Sequence, residues 1–303
     1  MRHLPSSCTC FGVLWLLVWV TAGCGASAPG PAATLRFSGI PDSDKEKLQQ
    51  QYEVVTSYLS DEIGMPVEFV FASDYTAAVT ALAANKVDLV WLGGVTSVQA
   101  EEQTGGEVTF VATRVSDLEF QSYFIANASL GLEPVDSLED LKTVLGEHTF
   151  TFGSKSSTSG HIMPRYFMTQ AGISPEDDTK GGAKFQLQGG HSATLRVVAN
   201  GSTDLGALNY KAWLGTDAAT KAKAPVIYET PPYVDYCMVA HNRLGADRIE
   251  AIRRAFTSLD PTVPEHAEVL EAFEAAKFVA AESEDWDGIR KVLADPAVRS
   301  AMR

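Results

Sequence analysis

The chain has 303 residues and is 45% hydrophobic, enough for a two-lobed domain with a substantial core, which excludes disordered and fibrous classes. With 24 Lys+Arg against 38 Asp+Glu, the formal net charge of −14 disfavours contact with a phosphate backbone and excludes nucleic acid as a partner. Cys8, Cys10 and Cys24 precede the folded region and Cys237 stands alone, so neither a disulfide framework nor a zinc cluster is expected.

The N-terminus accounts for the cysteine bias. Arg2 supplies a short positive region and Phe11 to Val20 an apolar one too short to span a bilayer, so residues 1–23 read as a cleavable signal peptide. Val20-Thr21-Ala22-Gly23-Cys24 resembles the bacterial lipobox, which implies lipidation of Cys24. The alternative is an ordinary signal cleaved nearby with Cys24 incidental. Gly25 to Ala33 is small, uncharged and Pro-containing, so residues 24–33 form a lipidated tether and the folded body starts near Thr34.

From Leu35 onward, strand and helix patterns alternate. Leu35 to Ile40 alternates with period two, then Leu48, Tyr52, Val55, Leu59 and Ile63 recur at helical spacing until Gly64. Val67 to Phe71 reads as a strand, Asp74 as an N-cap, Tyr75 to Lys86 as a helix, and Asp88 to Leu92 as a buried strand ending at Gly93-Gly94. Strands are expected at 108–114, 120–126, 148–153, 184–188, 204–210 and 226–229, with helices at 137–145, 158–171 and 192–200; beyond Asn242 the pattern is helical only. Such alternation implies parallel sheets covered on both faces, with ligand bound beyond the carboxyl ends of the strands. Ala84 to Leu89 and Ala199 to Leu205 repeat one order of helix end, turn and strand start, which two related lobes or common turn chemistry would each produce.

The most informative segment is Gly153-Ser154-Lys155-Ser156-Ser157-Thr158-Ser159-Gly160, between a strand and a helix. Hydroxyls and free backbone N–H groups converge at such a helix start, where the dipole also favours an anion. A plain N-cap needs one hydroxyl, so the run through Ser156, Ser157, Thr158 and Ser159 favours an anion site over a solvated loop. In Gly189-Gly190-His191-Ser192, His191 either donates a ring N–H to an oxyanion or braces its loop. Asp74-Tyr75-Thr76 and Gly93-Gly94-Val95-Thr96 offer further donors at strand-to-helix turns, with ordinary cap chemistry as the alternative. A protein this acidic repels anions at long range, so the site must be made locally from oriented amides and hydroxyls.

Catalytic patterns are poor by comparison. The chain carries no Gly-x-Ser-x-Gly elbow and no His-Glu-x-x-His, and Cys237 lies in an apolar strand, so an enzyme is not expected.

These segments together resemble the substrate-binding proteins of bacterial ABC importers for phosphonate, phosphite and phosphate. The likeness runs from about Leu35 to the C-terminus and rests on Asp74-Tyr75, Asp88 to Gly94, Phe152-Gly153 with Ser156 to Gly160, Gly190-His191 with Arg196, and Asp204 to Ala207. Within the family the chain is similar to a subgroup named for selenate binding, through Trp91 to Thr96, Met163 to Phe167 and Thr230 to Tyr236.

The resemblance implies an α/β, two-lobed type II periplasmic binding protein fold with a hinge between the lobes. Lobe 1 would comprise residues 34–121 plus 233–303, and lobe 2 residues 122–232. It implies that Ser157, Thr158 and Ser159 hold the oxyanion with Tyr75 and His191. Ser156, Thr76, Gly93, Gly94 and Thr96 complete the expected ligand set. Aminoalkylphosphonate binders carry an acid after the Gly-Ala strand where this chain has Asn209, so the expected site is made of donors alone and suits small tetrahedral anions. The expected function is capture of such an oxyanion (phosphonate, phosphite, phosphate or selenate type) by an exported monomer, lipid-anchored outside the cytoplasmic membrane or periplasmic. Its partners would be a membrane permease and ATPase, with no cofactor and no metal. Presentation of the anion to a membrane receptor kinase is the alternative. Cys24→Ser is expected to move the protein from the membrane to the soluble fraction; mass spectrometry of an unmodified N-terminus elsewhere would overturn the anchor.

Overall fold

The computed structural model describes residues 34–186 and 190–301; Cys24 with the signal segment, and Gly189, lie outside the described residues. Chain order begins β1 (Leu35–Gly39), α1 (Lys45–Ile63), β2 (Val67–Phe69), α2 (Tyr75–Ala83), β3 (Leu89–Leu92), α3 (Gly94–Gln103) and β4 (Val108–Arg114). It continues with β5 (Ser122–Ala126), α4 (Leu138–Leu145), β6 (Phe150–Phe152), α5 (Met163–Gln170), β7 (Lys184–Phe185), α6 (Gly190–Ala199), β8 (Leu205–Asn209), α7 (Tyr210–Leu214), α8 (Ala218–Lys223) and β9 (Val226–Glu229). The last part holds β10 (Cys237–His241), α9 (Ala246–Thr257), α10 (Pro264–Ala272), β11 (Phe278–Ala280), α11 (Asp287–Ala294) and α12 (Pro296–Ala301).

Each lobe is built on one sheet. The first has strand order β11-β4-β10-β3-β1-β2 and the second β7-β6-β8-β5-β9. Read from the opposite edge, the second sheet repeats the first without β11: β8 lies between β5 and β6 as β3 lies between β10 and β1. The repeated turn before Leu89 and Leu205 therefore feeds equivalent central strands. Period-two alternation sends Phe124 and Ala207 to one face of the second sheet and Tyr123, Ile125 and Leu208 to the other, so helices cover both faces. All residues of β3 are buried, which explains its unbroken apolar run.

Two expectations change. The sheets are mixed rather than parallel: β1 pairs in parallel with β2 and β3, but β10 runs antiparallel to β3 and β4. In the second sheet β5 is likewise antiparallel to β8 and β9. The cause is topological, because β5 and β10 are entered directly from the other lobe and arrive reversed, without a covering helix to turn them. The chain beyond Asn242 also holds β11, whose short run pairs with the edge strand β4 and carries no period of its own.

The lobes are joined by two crossovers that bond to each other. Phe120 and Tyr233 exchange backbone hydrogen bonds of 2.7 and 2.9 Å, and Asp235 N donates to Asp117 O at 2.9 Å. Arg114 clamps this junction. Its Nε and Nη2 donate to Asp117 at 2.6 and 2.7 Å, its Nη1 donates to Phe273 O at 2.7 Å, and its guanidinium lies over the rings of Trp91 and Tyr236 at 5.2 and 5.0 Å. Burial and the Arg114 contact oppose each other at Asp117, and burial wins, raising its carboxyl above the ordinary range. Removing one member of a buried pair leaves the other charge uncompensated, at a cost of about 3–5 kcal/mol. Arg114→Leu is therefore expected to lower unfolding stability by about that amount in urea at neutral pH; a loss below about 1 kcal/mol would mean that the pair does not hold the crossovers.

Candidate functional site

The carboxyl ends of β1, β2 and β3 face those of β6, β7 and β8 across the junction of the lobes, and the strand-to-helix turns that follow them meet there. After β6, Ser157 caps a π-helical turn, Thr158–Ile162, by accepting from Gly160 N at 3.0 Å. Thr158 Oγ1 accepts from Val95 N of the opposite lobe at 2.9 Å. Both recorded bonds use oxygen lone pairs, so the hydroxyl protons of Ser157 and Thr158 remain to be donated. Ser159 is buried beside them, and its carbonyl accepts from Ser122 Oγ at 2.7 Å.

The turn is braced from behind. His161 Nε2 accepts from Arg165 Nε at 2.8 Å, so the ring proton sits on Nδ1 and is donated to Lys155 O at 2.7 Å. Arg165 in turn donates to both carboxylate oxygens of Glu176. Burial lowers the His161 pKa to about 3, so its imidazole stays neutral at neutral pH.

His191 reaches the same space from α6. Its Nδ1 accepts from Asn209 N at 3.2 Å, which places the proton on Nε2, and Nε2 is buried without a partner among the described residues. Burial lowers its pKa to about 3, so it is a neutral donor over the working range. Tyr75, 4% exposed on the first turn of α2, brings a hydroxyl beside Ser157 that likewise has no partner among the described residues. Asp74 caps α2 as expected, accepting from Ala77 N at 2.8 Å.

The other expected residues divide. Gly93, Gly94 and Thr96 lie at the junction, but Gly94 N donates to Asp235 at 2.8 Å and the Thr96 hydroxyl donates to Gly93 O at 2.9 Å, so these two donors are already engaged at the start of α3 and by the crossover. Thr76 is exposed on α2, and Ser156 is half-buried on its loop. Asn209 caps α7 through Oδ1, accepting from Ala212 N at 2.6 Å. Its Nδ2 donates to Tyr236 Oη at 3.2 Å, and Tyr236 donates to Asp42 Oδ2 at 2.7 Å.

Beside these donors the structure places a buried acid that the sequence reading did not include. Asp235 Oδ1 accepts from Gly94 N, while Oδ2 faces the Thr158 and Ser159 hydroxyls without a formed bond. Burial pushes the Asp235 carboxyl up to about 7, against the Gly94 N–H, which favours the charged form. A buried acid thus stands near the hydroxyl-rich turn, delivered by the second crossover from 77 residues beyond Thr158 along the chain. Asp42 and Tyr236 were also missed. For Asp42 a signal existed, since it follows β1 as Tyr75 follows β2; Asp235 and Tyr236 lie in the Thr230 to Tyr236 segment that carried the resemblance, but nothing local to it pointed to the cleft. Among the described residues no group of His, Cys, Asp or Glu is placed to hold a metal ion.

Two α/β lobes joined by paired crossovers, with donors from both lobes converging on one cleft, define a type II periplasmic binding protein. A family profile described as "ABC transporter, phosphonate, periplasmic substrate-binding protein" matches residues 37–286, and the chain belongs to that family: it is an extracytoplasmic substrate-binding protein of an ABC importer and not an enzyme. It is 34% identical over 265 residues to the probable ABC transporter phosphite-binding protein of Prochlorococcus marinus, covering 85% of this chain and 88% of that one. It is 28% identical to the phosphonates-binding periplasmic protein of Escherichia coli, over 84% of this chain and 74% of that protein. The solved structure of the P. marinus protein in complex with methylphosphonate matches with a TM-score of 0.81 at 33% identity, covering 88% of this chain and 98% of that one. Nothing among these relatives singles out a selenate-binding subgroup.

One of the contacts between the lobes requires a glycine. His191 N donates to Asp42 O at 2.9 Å, and a Cβ added to Gly190 would lie 2.3 Å from the Asp42 carbonyl. Gly190 also has φ +49°, a conformation that costs other residues about 1–2 kcal/mol. Gly190→Ala is expected to hold the lobes apart, seen as a larger radius of gyration than wild type by X-ray scattering in saturating phosphate. An unchanged radius would show that the Asp42 backbone yields.

Proposed function

We propose that the cleft captures a small phosphorus oxyanion together with one proton, and that the exported, Cys24-anchored protein delivers it to its permease. The observation that carries this reading is the meeting of neutral donors from Tyr75, Ser157, Thr158, Ser159 and His191 with the Asp235 carboxyl group. Oriented neutral donors hold an anion without a countercharge, as helix starts do. A carboxylate among them repels a fully ionised ligand and accepts a hydrogen bond from one that keeps a proton. The phosphite- and phosphonates-binding relatives agree in ligand class.

Asp235 is faced by the carboxylate of Asp117, by the hydroxyls of Thr158 and Ser159, and by the phenols of Tyr75, Tyr233 and Tyr236. Hydrogen phosphate brings its own proton, whereas sulfate and selenate have none and need Asp235 protonated. Above about pH 7 the affinity for sulfate is therefore expected to fall by about tenfold per pH unit while that for hydrogen phosphate holds. Asp235→Asn should abolish the difference, and Ser157→Ala should weaken either anion about tenfold or more. Calorimetry between pH 6 and 9 measures this; identical pH profiles for the two anions would overturn the shared proton, and failure of both to bind would overturn the oxyanion assignment.

Stability carries the same signature. A carboxyl raised in the folded state stabilises below its unfolded pKa, near 3.8, and that contribution is lost as pH rises through about 7. Asp42 and Asp117 are raised in the same sense. His161 and His191, lowered to about 3, act in the opposite sense over about pH 3 to 6.5, so the expected signature is a difference. Relative to wild type, ligand-free Asp235→Asn should lack one component of stability loss between about pH 4 and 7 in thermal unfolding, and a pH profile parallel to wild type would place the proton elsewhere.

A further inference from the structure

We propose that Pro164 is a positioning residue for the hydroxyl-rich turn: by bringing no N–H into the helix, it leaves two carbonyls of the turn free to be fastened to β5 and β6. This rests on the oxyanion reading of that turn and deepens it. Pro164 belongs to Met163 to Phe167, a segment of the resemblance that supplies none of the donors named above.

The helix that begins at Thr158 runs on through the proline. Ile162 and Met163 both have right-handed helical angles, with φ −63° and −68°, although a residue before proline is disfavoured there. The hydrogen bonds change register at this point. Ile162 N donates to Ser157 O at 3.0 Å and Met163 N donates to Thr158 O, the π-helical pattern, whereas α5 is α-helical. The next N–H in line would go to Ser159 O in the π register or to Gly160 O in the α register, and proline brings neither bond.

Both carbonyls are used from outside the helix. Ser159 O accepts from Ser122 Oγ at the start of β5 at 2.7 Å, and Gly160 O accepts from Gly153 N just past β6 at 2.8 Å. The second bond closes the chain from Gly153 to Gly160 into a ring that carries Ser157 and Thr158. Gly160 also lies where a Cβ would come within 3.1 Å of His191 Cε1, so holding this residue in place sets the approach of the turn to His191. An N–H at position 164 would compete for these carbonyls, and the turn would lose a tie to one of the two strands. Pro164 is buried, so a test must separate its ring from its missing N–H.

The test is calorimetry with phosphate and methylphosphonate, together with amide hydrogen exchange and urea unfolding without ligand, on the full chain as wild type, Pro164→Ala, Pro164→Val and Ser157→Ala. Pro164→Ala and Pro164→Val both restore the N–H, and Val also keeps most of the ring's bulk. Each should weaken both anions about tenfold and speed exchange of the Gly153 amide, with no matching loss of unfolding stability. Wild-type binding in Pro164→Val alone would assign the effect to the ring, and a loss of stability as large as the loss of affinity would make the proline structural only; either overturns the proposal. Unchanged affinity and Gly153 exchange in both variants, with Ser157→Ala weakened, overturns it and leaves the oxyanion reading standing. Wild type that binds neither anion overturns both.

Discussion

A carboxylate taken out of water must find donors or take up a proton, and the architecture of this protein turns on where Asp235 does so. Its backbone N–H is held by Asp117 on the first crossover, its carbonyl accepts from the Trp286 indole at 2.7 Å, and its side chain receives Gly94 N at the start of α3. One residue thereby ties together both crossovers, the C-terminal segment and the first turn of a helix. Its second oxygen is left facing the hydroxyls of the opposite lobe. The rise of its pKa to about 7 follows from that position, because a single N–H does not repay the loss of hydration.

The neutral donors around it are workable because each is held by something that does not compete for the ligand. Ser157 and Thr158 are held through their lone pairs, His191 through the nitrogen it does not donate from, and the turn itself through the chain from His161 to Arg165 to Glu176. Pre-oriented dipoles of this kind lose little on binding an anion, which is how, on the proposed reading, a protein of net charge −14 would hold one without a lysine or arginine among these donors. On that reading recognition and lobe contact are coupled, since Thr158 of the hydroxyl-rich turn bonds across the junction to Val95.

The likeness of the two sheets explains why the site has this composition. β1, β2 and β3 correspond to β6, β7 and β8, and each of these strands ends in a turn at the cleft. Donors recur at equivalent places, as with Tyr75 after β2 and His191 after β7. The reversed strands β5 and β10 serve another purpose, carrying the chain between the lobes, and their crossovers bring in Asp117, Asp235 and Tyr236.

The sequence by itself determined what depends on neighbours along the chain. The periodicity of α1, the cap at Asp74, the buried run of β3 and the hydroxyl-rich turn at 156–159 were all legible there, because their causes lie within a few residues. The repeated turn before Leu89 and Leu205 even hinted at two lobes on one plan. Tertiary structure alone decided strand direction in β5 and β10, the pairing of β11, the capping of α7 by Asn209, and the placing of Asp235 against Thr158. Each of these is a contact between segments far apart in sequence, where no local pattern records which partner will arrive or whether its charge will be left in water. The segment Thr230 to Tyr236 was legible as a motif, but only the crossover reveals that its acid at 235 is buried.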